Sequence, residues 1–257
     1  MRDSEISALP QTAANTLAGL RARAPRVHCI TNTVAQAFTA NALLAAGAMP
    51  SMTISPEEIE PFVARANTLL VNLGTFDRER REAVERAVET ASKQRMGWIL
   101  DPVLIDRSPP RADFARALLE RKPAALRLNG AEFLALGGGK VDRLAAGAFA
   151  RDHGVTVALS GETDFVADGR RLAAVANGHA LMGKVTAMGC AASALAAACL
   201  AVEPDAWRAS ASALLIVNIA GEIAAERAKG PGSFAVAILD ALASLDGPTL
   251  MKRAKVA

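Results

Sequence analysis

The chain has 257 residues, 51% of them hydrophobic, which is enough to bury one large core and fits a single α/β domain over 1–257. Aromatic residues make up 4% with no tyrosine, and the formal net charge is only +3, so a surface that stacks on bases or wraps nucleic acid is excluded. Three cysteines, Cys29, Cys190 and Cys199, show no CxxC or zinc spacing, and their odd count argues against a disulfide framework and for reduced thiols in a cytoplasmic protein.

Residues 1–24 hold no continuous apolar stretch of signal-peptide type. The Ala-rich runs at 189–202 and 211–225 are broken by polar residues or too short to span a bilayer, so no membrane partner is expected. Strand-like runs follow at 27–30, 51–54, 69–72, 98–101, 125–128 and 155–160. They alternate with amphipathic stretches such as 77–93, where acids and bases interleave as on a solvated helix face. That alternation predicts crossover connections and a mostly parallel central sheet with helices on both faces. Ser55-Pro56-Glu57-Glu58 places a cap, a proline and two acids at a helix start. The glycines at 137–139 read as a turn, because no strand precedes them and no Lys-Ser/Thr follows. Residues 165–168 and 171–176, joined at Gly169-Arg170, form a hairpin and make part of the sheet antiparallel. Beyond Gly189 the pattern is helical, with Ser233 capping the last long helix.

Ligands of open parallel sheets gather at the carboxyl ends of the strands, and polar residues stand at each such end here. They are Thr31 and Asn32, Asn72 and Gly74, Asp101, Asn129 and Glu132, and Ser160-Gly161-Glu162. Asp101 and Glu132 have the chemistry of a magnesium shell, and equally that of a turn aspartate and an exposed helix acid. Arg127 is a candidate phosphate fork or a surface ion pair. His28 and His179 adjoin candidate loops, while His153 reads as a solvated residue near a helix end. In the run NGHALMGKVTAMGCAASALAAACL (177–200), Cys190 stands just after Gly189 where a helix begins. The unpaired N–H groups and dipole there suit a phosphoryl group; the other reading makes Cys190 a small buried hydrophobe like Cys199.

Seven segments in order resemble the hydroxyethylthiazole kinase family of the ribokinase-like superfamily: VHCITNTVAQAFTANALLAAGAMPSM (27–52), LLVNLGTF (69–76), ILDPV (99–103), RLNGAEF (127–133), SGETDFVADG (160–169), NGHALMGKVTAMGCAASA (177–194) and KGPGSF (229–234). The resemblance implies a ribokinase-like three-layer α/β/α fold. It implies transfer of the ATP γ-phosphoryl to the primary alcohol of 4-methyl-5-(2-hydroxyethyl)thiazole in thiamine salvage, with Mg²⁺, in a homotrimer whose sites lie between subunits. It also implies that Asn32 and Met52 line the thiazole pocket and that Arg127 and Ser160, a position usually threonine, contact ATP. Asp101 and Glu132 would organise magnesium, the loop bearing Ala187 and Gly189 would hold the transferring group, and Cys190 would stand beside the substrate hydroxyl.

Three departures from the family pattern fall on the phosphate side. Gly-x-Gly-Cys becomes Ala187-Met188-Gly189-Cys190, DPVGAGATPFR becomes DPVLIDRSPPR over 101–111, and Arg127 is followed by Leu128 in place of glycine. These leave a second reading, a non-catalytic or altered-specificity homologue that binds a thiazole-like ligand or nucleotide as a sensor. A dinucleotide-dependent enzyme is disfavoured, since no strand–GxGxxG–helix unit is present.

Overall fold

A computed structural model describes residues 2–257. Helices α1 (Arg2–Ser7) and α2 (Leu9–Arg23) precede an alternating run: β1 (Arg26–Ile30), α3 (Gln36–Ala46), β2 (Met49–Ser51), α4 (Ile59–Ala64), β3 (Thr68–Asn72), α5 (Arg78–Lys93), β4 (Trp98–Asp101), α6 (Pro109–Leu119), β5 (Ala125–Asn129), α7 (Gly130–Ala135), α8 (Arg143–His153) and β6 (Thr156–Ser160). The hairpin β7 (Asp164–Ala167) and β8 (Leu172–Val175) leads to α9 (Met188–Leu200), α10 (Ala206–Arg227), α11 (Pro231–Ser244) and α12 (Gly247–Arg253). Short 3₁₀ turns at Ile105–Arg107 and Ala180–Lys184 lie in the loops after β4 and β8.

The strands form one sheet in the order β2-β1-β3-β4-β5-β6-β7-β8. Pairing is parallel from β2 to β6 and antiparallel at β6–β7 and β7–β8. Alternate residues of each strand face opposite cores, as the two-residue period of a strand requires. Val27, Cys29, Leu70 and Ile99 join the larger core with α2, α3, α9, α10 and α11. Ile30, Leu69, Val71 and Leu100 join the other with α4, α5, α6, α7 and α8. The result is the expected three-layer α/β/α arrangement, with the chain reversing its direction of strand addition between β1 and β3.

Local sequence explains where elements begin. Asp77 caps α5 by accepting from Arg80 N, and Ala83, Val84, Ala87, Val88 and Ala91 make its buried stripe. The α9 helix is rich in alanine and has almost no bulky side chains, so it packs closely against β1, β3, β4, α3 and α10, and all its residues from Cys190 to Cys199 are buried. Close packing puts its first turn at the carboxyl edge of the central strands. The α10 helix, contrary to expectation, is long and apolar enough to cross a membrane; 78% of its apolar window is buried inside this fold.

Three boundary expectations are corrected. The second strand spans Met49–Ser51 and not 51–54. It is an edge strand, which tolerates Pro50, and the chain leaves the sheet afterwards because the Thr53 carbonyl turns to His28 and the Thr53 hydroxyl to Glu58. Ser55 closes a turn through its carbonyl to Glu58 N and Ile59 N, so α4 starts only at Ile59. Ser233 does cap α11, but from inside its first turn, where its Oγ accepts from Lys229 N and Gly230 N at 2.8 and 3.2 Å. At the sheet's far edge the C-terminal residues run beside β8, with Ala174 and Ala257 exchanging both backbone hydrogen bonds and Ala176 N donating to Lys255 O.

Candidate active site

The strand-order reversal places the ends of β1 and β3 side by side, and a network of polar side chains starts there. Asn72 ends β3, in register with Asp101 at the end of β4. Asn72 Nδ2 donates to Asp101 Oδ2 at 2.7 Å and to Cys190 Sγ at 3.3 Å. Asn32 Nδ2 donates to the same sulfur at 3.2 Å. Backbone donors fix both amides: Asn32 Oδ1 accepts from Ala35 N at 2.9 Å and Asn72 Oδ1 from Gly74 N at 3.0 Å. Gly74 is required by proximity, because a Cβ there would lie 2.7 Å from Asn32 Cβ. Ser193, one turn beyond Gly189 on α9, completes the network by donating to Asp101 Oδ2 at 2.7 Å.

Burial governs the protonation of this network. The Cys190 thiol is pushed up to about 11 by loss of solvent, reinforced by the Asp101 charge and opposed by the two amides and Arg127. It therefore stays protonated at neutral pH. Asp101, 1% exposed, is raised to about 6 by the same desolvation; Arg127 opposes this, Glu132 adds to it, and the bonds from Ser193 and Asn72 restrain it.

Beside the network lies a cleft of about 530 Å³ lined by Arg127, Ser160, Asp164, His179, Gly189 and Asn218 among others. Arg127 points along it from β5 and makes no ion pair or hydrogen bond among the described residues, its Nε being buried without a partner. A Cβ on Gly189 would stand 2.9 Å from Arg127 Nη1, so glycine is what lets the guanidinium lie against the first turn of α9. A half-buried, unpaired guanidinium beside helix N–H groups is a site for an anion. Ser160, at the end of β6, donates to Leu128 O at 3.2 Å and keeps its lone pairs free.

Glu132 is not the exposed helix acid of the alternative reading. It is 4% exposed, and its Oε2 and Oε1 accept from Asn129 N and Leu104 N at 2.9 and 3.0 Å, which ties α7 to the loop after β4. Among the described residues no three His, Cys, Asp or Glu side chains group to hold a metal ion. Mg²⁺ takes one or two carboxylates and completes its shell with water and donor phosphates; both Glu132 oxygens are already bonded to backbone N–H groups, while the bonds to Asp101 from Asn72 and Ser193 fall on Oδ2 and leave Oδ1 free of them.

The structure thus brings Asn32, Asp101 and Cys190 into one network and Arg127, Ser160 and Gly189 into the adjoining cleft. Ala187, half-buried, is the residue from which α9 departs, with φ of 69°. Met52 is not among the cleft residues; it is half-buried against the larger core on the segment after β2. His28 is corrected from a substrate candidate to a buried brace. Its Nε2 must carry the proton, because the Thr53 carbonyl at 3.1 Å only accepts, and Nδ1 then accepts from Ser51 Oγ at 2.8 Å. His179 does face the cleft. His153 is half-buried, its ring 4.1 Å from that of Phe149, and not a fully solvated residue. Sequence reasoning missed Ser193, Asp164 and Asn218. The signal for Asn218 is a lone amide in the apolar run LLIVNIA (214–220).

The strand order and direction, with helices on both faces of the sheet, make this a ribokinase-like fold. A ribokinase-like superfamily protein from Enterococcus faecalis shares the fold, with a TM-score of 0.66 at 16% identity over 89% of this chain and 90% of that one. The profile described as the hydroxyethylthiazole kinase family matches residues 17–247, and the chain belongs to that family. It is 44% identical over 245 residues to a probable hydroxyethylthiazole kinase of Agrobacterium fabrum, covering 95% of this chain and 94% of the relative. Identity to the hydroxyethylthiazole kinase of Salmonella schwarzengrund is 45% over 247 residues, 91% and 93% of the two chains. The solved hydroxyethylthiazole kinase protein from Pyrococcus horikoshii OT3 superposes with a TM-score of 0.93 at 38% identity, over 96% of this chain and 98% of that one.

Proposed function

We propose that this chain transfers the γ-phosphoryl group of ATP to the primary hydroxyl of 4-methyl-5-(2-hydroxyethyl)thiazole, a step of thiamine salvage. The observation that carries the reading is the placement of Cys190: it follows the glycine against which an unpaired Arg127 lies, and it is hydrogen-bonded to Asn32 and Asn72. In this reading Arg127 and Ser160 contact ATP, Ala187 and Gly189 bound the transferring group, and Asn32 and Met52 line the thiazole pocket. Asp101 and Glu132 are the carboxylates that would hold Mg²⁺, whose chemistry is to neutralise phosphate charge.

The thiol's role follows from its protonation. With a pKa of about 11 it is a poor proton acceptor at neutral pH, so its contribution is alignment of the acceptor hydroxyl. Phosphoryl transfer through a loose transition state depends chiefly on alignment and charge stabilisation, and tolerates a weak base. The two amides aimed at Cys190 would equally hold a carboxylate. Cys190→Asp is therefore expected to retain or raise turnover in an ADP-release assay with ATP, Mg²⁺ and the thiazole alcohol; total loss in a folded variant counts against the assignment.

The same reading makes the protein a cytoplasmic homotrimer with sites between subunits. It is supported by three free thiols and by two exposed apolar side chains at the sheet edge, Met49 in β2 and Phe62 in the neighbouring α4. Light scattering should give three times the chain mass. Weakened phosphoryl transfer is the second reading, favoured by Leu104 and Ala187, which occupy left-handed conformations (φ 59° and 69°) where the resemblance places glycine.

A further inference from the structure

One wall of the cleft is made by two side chains outside the Cys190 network. Asp164 opens β7, and Asn218 projects from the middle of α10; they are 7% and 6% exposed. Asn218 Nδ2 donates to Asp164 Oδ2 at 2.8 Å, and Asp164 Oδ1 accepts from Gly161 N at 3.0 Å. A carboxylate only accepts, so the amide must turn its NH₂ toward Asp164. Its carbonyl oxygen Oδ1 is then left facing the cleft with no partner among the described residues. The Asn218 side chain is held by Asp164 and almost wholly buried, so an acceptor it presents at the open cleft wall is fixed in place for a ligand that donates to it. Phosphate oxygens are acceptors themselves and belong at Arg127. The acceptor wall suits the part of the donor that carries N–H and O–H groups.

We propose that Asp164 and Asn218 form a donor-selecting pair. Asp164 positions the turn from Ser160 to Thr163, and Asn218 Oδ1 accepts a hydrogen bond from the nucleoside of the phosphoryl donor, either from the base amino group or from a ribose hydroxyl. The proposal rests on the reading of this cleft as the ATP site.

Calorimetric titration of the full chain with the magnesium complexes of ATP, inosine triphosphate, 2′-deoxy-ATP and 3′-deoxy-ATP tests it. The unaltered chain should bind one of the three analogues roughly tenfold more weakly than ATP, the cost of losing one hydrogen bond to the cleft wall. Which analogue is weak identifies the contacted group. Asn218→Ala should lose about tenfold in ATP affinity and treat ATP and that analogue alike. In the ADP-release assay it should raise KM for ATP while leaving KM for the thiazole alcohol unchanged. The exchange Asp164→Asn with Asn218→Asp keeps one amide against one carboxylate and should restore both discrimination and melting temperature. The proposal is overturned if the unaltered chain binds all four nucleotides equally, a result that needs no variant to fold. It is also overturned if Asn218→Ala lowers all affinities by one common factor. A chain that binds ATP but does not phosphorylate the alcohol defeats the acceptor assignment alone, and the titrations still decide the pair. A chain that binds no nucleotide defeats both.

Discussion

Two buried groups of the central sheet respond to pH in opposite senses. His28, lowered to about 4 by burial, is neutral when folded and has a reference value of 6.5. Between those values the unfolded chain binds the extra proton, so the stability from this residue is complete above about 6.5 and is lost as pH falls toward 4. Asp101 is raised from 3.8 to about 6, so the folded state binds the extra proton and its ionisation costs stability as pH rises through that window, on the order of 3 kcal/mol. The overlapping slopes partly cancel in the parent protein. Single substitutions separate them: His28→Gln should flatten the loss of stability on acidification, and Asp101→Asn should stabilise the metal-free protein at pH 8 while abolishing turnover. Denaturant melts across pH 4–8 read both. An Asp101→Asn variant less stable than the parent at pH 8 would show that its hydrogen bonds outweigh the buried charge.

At the scale of elements, strain is concentrated beside the site. Among the described residues five other than glycine have positive φ: Ala24, Arg95 and Lys122 follow helix ends, where a left-handed residue is usual, while Leu104 and Ala187 sit in the loop before α6 and at the start of α9. A left-handed alanine costs about 1 kcal/mol, so Ala187→Gly should stabilise the protein by roughly that amount. It should also raise turnover by removing a methyl group beside the proposed phosphoryl position. A more stable variant with unchanged turnover would place the defect elsewhere, with Leu104→Gly the next to assay. The sequence made the strands legible because four or five apolar residues with polar ends recur at regular intervals, and this also located Asn32, Asp101 and Arg127. Contacts between distant elements were not legible. Nothing local marks Ser193 as a partner of Asp101, 92 positions away, or shows that both Glu132 oxygens are taken by backbone N–H groups. Nor does local sequence show that Ser55, a good cap by type, spends its carbonyl on a turn, which delays α4 to Ile59.

Across the molecule, both cores share one sheet, and the cleft draws on strands β5 and β6 together with helices α9 and α10. The single domain expected from length should therefore unfold in one calorimetric transition; two resolved transitions would divide it. The two borders of the sheet are protected differently. At one, β2 is only three residues long and contains Pro50, which has no N–H to offer an incoming strand. At the other, residues 255–257 fold back along β8 and occupy its outward backbone groups. Those last residues work as a selvedge that keeps the weave from being extended. Trimming them bares the outward N–H and carbonyl groups of Ala174 and the N–H of Ala176, and the shortened chain should self-associate in time-resolved turbidity with its folded secondary structure still intact.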